Sequence, residues 1–75
     1  MKEKILALLQ EIVADVNPEE TALFDNGILT SLDVVRLIVA LNDEFDISIP
    51  AVEIRPENFN SIAAMEQMVV RLQDE

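Results

Sequence analysis

The sequence contains no cysteine, no histidine, no tryptophan and no tyrosine, and a single glycine. Without cysteine there are no disulfides and no thiolate metal ligands. Without histidine a metal site has only carboxylates to draw on, and no metal site is expected. The hydroxyls are Ser31, Ser48, Ser61, Thr21 and Thr30, and none has an imidazole base to activate it. Carboxylates are so plentiful that pairs of them carry little information. The chain is therefore not expected to be an enzyme on its own account. The turn Asp25-Asn26-Gly27 invites a calcium loop, but with Gly27 at its sixth place the first and third would be Ala22 and Phe24, which offer no side-chain ligand. One glycine also fails to make a Gly-rich phosphate cradle. No apolar run reaches membrane-spanning length and no signal peptide opens the sequence, so a soluble, cytoplasmic protein is expected.

Basic residues are scarce too: 5 against 15 acids, for a net charge of −10. None falls between Lys4 and Arg36, whereas Glu11, Asp15, Glu19, Glu20, Asp25 and Asp33 all do. Such a surface repels nucleic acid and anionic membranes and attracts basic protein surfaces. The same acidity also serves to keep a small apolar domain in solution. The 75 residues make one domain, and a chain of this size hides only about 60% of its unfolded surface. A hydrophobic fraction of 51% is nonetheless enough to set against the entropy of ordering.

What is present is helical periodicity. Ile5, Leu8, Leu9, Ile12, Val13 and Val16 predict a first helix running to Asn17-Pro18, where the proline ring stops it. A loop of about a dozen residues follows, with Leu23 and Phe24 tucked beneath it and Asp25-Asn26-Gly27 as a turn. A second helix begins at Thr30-Ser31, where Thr30 and Asp33 have capping-box spacing, and runs to about Phe45. Ile47-Ser48-Ile49-Pro50 reads as an extended link. Residues 50–57, bounded by Pro50 and Pro56, suit one short helical turn. Asn58, Asn60 and Ser61 are cap candidates for a last helix, in which Ile62, Met65, Val69 and Leu72 recur. No strand pattern or repeat is seen. The expected fold is all-α, a small bundle of three main helices plus one short helix.

The second helix carries two apolar arcs. At about 100° per residue, Val34, Leu37, Ile38, Leu41 and Phe45 make one stripe suited to a core. Leu32, Val35 and Val39 fall roughly 100–160° away, beside Arg36 and Asp43. Either Val35 leans into the core edge and the others are ordinary exposed aliphatics, or the arc is a docking strip with a charged rim. Its closeness to Ser31 favours the strip. Ser31 itself is a candidate acceptor of a group installed by another enzyme, since a phosphodiester at a helix start meets free N–H groups and the positive end of the dipole. Ser61 also opens a helix but lacks the turn glycine, the long loop and the second apolar arc, and reads as a plain cap.

The stretch DNGILTSLDVVRLIVALNDEFDISIP resembles the central part of acyl carrier proteins. The likeness lies in the Gly27-to-Ser31 spacing, Ser31-Leu32-Asp33, the aliphatic run through Ala40-Leu41, and Glu44-Phe45-Asp46 followed by Ile49-Pro50. It implies a monomeric carrier domain over residues 1–75 that holds an acyl or aminoacyl group as a thioester on 4′-phosphopantetheine. By the resemblance Ser31 takes that group from coenzyme A through a phosphopantetheinyl transferase, its hydroxyl attacking the pyrophosphate to leave a phosphodiester. Leu32, Val35 and Val39 match positions that dock partners, and Asp33 and Asp43 match acidic recognition positions. The implied partners are the transferase and an adenylating ligase, or acyltransferases and condensing enzymes, with basic surfaces.

Two residues depart from the family pattern: Thr30 stands where an Asp is usual before the serine, and Arg36 interrupts the acidic stripe of fatty-acid carriers. The tail PENFNSIAAM is closer to D-alanyl carrier proteins and related stand-alone carriers, which work with a dedicated adenylating ligase. A different reading keeps the fold but not the modification: an interaction domain docking a basic partner through the second helix.

Overall fold

The computed structural model describes residues 1–74. Four α-helices form in chain order: α1 Lys2–Ile12, α2 Ser31–Phe45, α3 Pro56–Phe59 and α4 Ile62–Gln73, with a 3-10 turn at Ala51–Glu53 ahead of α3. No strand occurs among the described residues. The helix α1 packs on α2 and α4, and α3 lies against α4. The all-α bundle of three main helices and a short one is the one the periodicity implies.

The core stripes meet as expected. Ile5 and Leu9 of α1, Val34, Leu37 and Leu41 of α2, and Met65, Met68 and Val69 of α4 are all buried in one cluster with Phe59. Ile38 and Phe45 pack at its edge. Fully hiding side chains of this size contributes about 1.5–3 kcal/mol each, and these aliphatics are what hold a domain this small together.

Two boundaries differ from the sequence reading. The first helix ends at Ile12, not at Asn17-Pro18. Val13 is extended (φ −128°, ψ 97°), as β-branched residues prefer, and the chain then turns to bury Val16. Val16 falls at helical spacing, but a turn and not a helix delivers it to the core. The single turn expected over 50–57 is split in two. Arg55 precedes Pro56 and is forced extended (φ −133°, ψ 148°), so the 3-10 turn stops at Glu53 and α3 restarts with Pro56 at its first position.

The cap candidates divide by role. Ser61 caps α4, its hydroxyl accepting the Ala64 N–H at 3.0 Å. Asn58 is no cap: it is buried, and its amide donates to the Glu53 carbonyl (2.6 Å) and to Glu53 Oε1 (3.1 Å). Glu53 also receives Arg71 of α4, Nη2 to Oε1 at 3.1 Å and Nη1 to Oε2 at 3.4 Å. One carboxylate thus ties the 3-10 turn to α3 and α4. Asn60 reaches back across the chain, its Oδ1 accepting the N–H groups of Phe24 and Asp25 at 3.0 Å each.

Candidate functional site

The segment from Val13 to Thr30 has no regular helix, yet it is pinned at several points. Leu23 and Leu29 are buried, the Leu23 N–H donates to the Asn60 carbonyl (2.9 Å), and the Leu29 N–H donates to the Leu23 carbonyl (2.9 Å). Gly27 closes the intervening turn with φ +75°, a conformation that side chains disfavour. These contacts deliver Thr30 in extended conformation at the start of α2. Its hydroxyl accepts the Asp33 N–H at 3.2 Å, and Asp33 Oδ2 accepts the Thr30 N–H at 3.1 Å.

The reciprocal box has a consequence for Ser31. Ser31 follows the cap as the first helical residue; it is exposed, and its hydroxyl makes no hydrogen bond among the described residues. Ser61 is the contrast, since its hydroxyl is engaged by the Ala64 N–H. Backbone N–H groups in a helix's first turn lack intrahelical acceptors and carry the positive end of the dipole. Ser31 therefore presents an unengaged nucleophilic oxygen at an electropositive helix start, inside an otherwise acidic chain.

A cavity of about 210 Å³ opens beside Ser31. Its walls are Phe24 of the loop, Val34, Val35 and Ile38 of α2, and Ile54, Arg55, Pro56 and Phe59 from the stretch entering α3. A larger groove of about 320 Å³, between the N-terminal ends of α1 and α4, includes Ser61, but that hydroxyl already serves its helix.

The second apolar arc of α2 faces outward. Leu32, Val35 and Val39 are 60%, 56% and 64% exposed, so Val35 borders the cavity without being drawn into the core. Asp43 is exposed on the same flank, and Asp33 is half-buried with one carboxylate oxygen held by the cap. Arg36 is exposed too, and among the described residues it is the one Lys or Arg with no carboxylate within 4.0 Å; the other four pair with Glu66, Glu44, Glu57 and Glu53. Val52 and Ile54 also stand exposed, at 74% and 46%. The sequence reading did not single them out. Their signal was available: only five residues lie between Pro50 and Pro56, too short a stretch to bury both Val52 and Ile54.

Residues 3–69 match the family described as phosphopantetheine attachment site. The chain belongs to this family. It is similar to aminoacyl carrier protein 1 of Bradyrhizobium diazoefficiens, 41% identical over 93% of this chain and 82% of the relative. It is also similar to aminoacyl carrier protein 2 of the same organism (44% identical; 88% of this chain, 74% of the relative) and to the D-alanyl carrier protein of Streptococcus uberis (37% identical; 99% and 96%). The chain is a carrier protein of the acyl carrier type whose cofactor is 4′-phosphopantetheine, and the unmodified interaction domain is not favoured. Proteins of this kind work with partner enzymes. No helix among the described residues is long and apolar enough to cross a membrane.

Proposed function

We propose that Ser31 is the residue that carries 4′-phosphopantetheine, and that the cargo is an amino acid held as its thioester. The observation that supports the site is the free, exposed Ser31 hydroxyl beside a box that caps the helix without it. These residues fit the group chemically. The hydroxyl can become the ester oxygen of a phosphodiester, the Ser31 and Leu32 N–H groups are left without intrahelical acceptors and would favour that charge, and the neighbouring cavity is largely apolar. When bound, the group supplies the thiol on which the cargo rides. The protein supplies the address, the tether point and a high local concentration at a docked enzyme.

The aminoacyl cargo rests on the names of the relatives, two aminoacyl and one D-alanyl carrier protein. Leu32, Val35 and Val39, flanked by Asp33 and Asp43, form the docking strip. The partners are a phosphopantetheinyl transferase and an adenylating ligase that face the acidic surface with basic residues. Residues 1–75 act as one carrier unit without catalysis of their own, in the cytoplasm.

Intact-mass measurement after incubation with coenzyme A and a broad-specificity phosphopantetheinyl transferase tests the site. Wild type and Ser61→Ala should each gain one prosthetic group and Ser31→Ala none. Modification of a folded Ser31→Ala chain, or of no chain with any of several transferases, overturns the assignment.

A further inference from the structure

The wall of the cavity opposite α2 contains one charged residue, Arg55, and the chain elsewhere is strongly acidic. Its backbone is fixed: the Arg55 N–H donates to the Glu53 carbonyl (2.9 Å), its carbonyl accepts the Asn58 N–H (3.0 Å), and Pro56 holds it extended. Its guanidinium has a single carboxylate neighbour among the described residues, Glu57, with Nη1 to Oε1 at 3.5 Å. Both side chains are more than half exposed, 55% and 67%. An exposed pair of this kind is weakly held, and one contact leaves most of the five guanidinium donors unengaged. Arginine binds phosphate through two parallel N–H···O bonds, a geometry that the single 3.5 Å contact to Glu57 does not supply.

We propose that Arg55 is a positioning residue that clasps the phosphodiester formed on Ser31, drawing the arm's first atoms over the cavity they share. This rests on Ser31 being the attachment point. The clasp exchanges the loose Glu57 contact for a phosphate contact and changes no covalent bond. It also gives a physical role to a cation lining the same cavity as Ser31 in a chain of net charge −10, adding to the helix start a second group that favours the phosphodiester's charge. Arg36 is the internal control. It lies five residues beyond Ser31, about 140° around α2, and does not line the cavity.

The test uses the whole chain before and after transfer from coenzyme A, with conversion followed by intact mass. In ¹H–¹⁵N spectra the Arg55 Nε–H resonance, assigned by its loss in Arg55→Lys, should move on conversion while that of Arg36 stays in place. The ³¹P resonance of wild type should differ from that of the Arg55→Ala product, whose value should lie nearer to that of phosphopantetheine attached to an unstructured serine peptide. Arg55→Lys should fall between them, and Glu57→Gln should enlarge the Arg55 shift by removing the competitor. Raising salt should diminish the wild-type difference. Full conversion with a motionless Arg55 resonance and identical ³¹P shifts in wild type and Arg55→Ala overturns the clasp alone. No mass gain overturns the attachment reading and the clasp with it.

Discussion

Thr30 and Asp33 hold each other across the first turn of α2, each side chain accepting the other's backbone N–H, at 3.2 and 3.1 Å. Removing a cap hydroxyl costs about 1 kcal/mol, within a range of roughly 0.5–2. Thr30→Ala should therefore lower the unfolding free energy by that amount, read as a lower urea midpoint at unchanged slope, and Thr30→Asp should keep most of it. The double variant Thr30→Ala/Asp33→Ala should lose less than the two single losses added, because the two bonds belong to one box. Strict additivity would show that the two bonds are independent.

The Asn60 side chain is expected to govern the order of the turn that leads to Ser31. Its Oδ1 accepts the N–H groups of Phe24 and Asp25, and its amide donates to Asp25 Oδ2 at 3.1 Å. Asn60→Ala leaves two N–H groups without an acceptor, at a cost of about 1–3 kcal/mol where they are shielded from water. Hydrogen exchange at Phe24 and Asp25 should accelerate far more than at Leu37 or Leu41, which report the core. An unchanged rate at Phe24 and Asp25 would mean that the Asn60 bonds do not hold the turn.

Glu53 should behave as a junction of three elements. Its side chain is 15% exposed and meets both Arg71 and Asn58. Glu53→Ala leaves the buried Asn58 with one partner fewer and takes from Arg71 its carboxylate, and a loss of about 1.5–3 kcal/mol is expected for a hydrogen bond to a charged group. Arg71→Ala should cost less, because its own side chain is half exposed. Denaturant midpoints decide the order; an equal or larger loss for Arg71→Ala would place the stabilisation in the ion pair alone.

How much of this was legible in the residues depends on what each signal encodes. The α2 boundaries were readable because Thr30, Asp33 and the apolar spacing are local and agree. The end of α1 was not, since Val13 and Val16 keep helical spacing while the chain between them turns. Asn58 and Asn60 looked alike as cap candidates, and neither caps α4. Their partners, Glu53 for one and Phe24 and Asp25 for the other, are set by tertiary packing, and for Asn60 they lie far away in sequence. Ser31 stood out through its neighbours, but the cavity beside it joins Phe24 to Ile54 and Phe59, a relation that only folding creates. Arg55 could not be placed there from spacing alone.

The two arcs of α2 should separate fold from docking. Leu37 is fully buried, and a large-to-small change there costs about 2–5 kcal/mol, a large part of a small domain's stability. Val39 is 64% exposed, so Val39→Asp should change stability by no more than about 0.5 kcal/mol. If the exposed arc is the docking strip, Val39→Asp should nonetheless slow transfer from coenzyme A by the transferase. It does so by placing a charge in the apolar centre of the contact, where interfaces are depleted of charge. Arg36→Glu, on the rim, should act differently: it should alter the association rate and its salt dependence while leaving the fold intact. Steady-state transfer rates at several salt concentrations, beside denaturation curves for the same variants, resolve the two arcs. A Val39→Asp chain modified as fast as wild type would remove this arc from the transferase contact, and an unfolded one would return Val39 to the core.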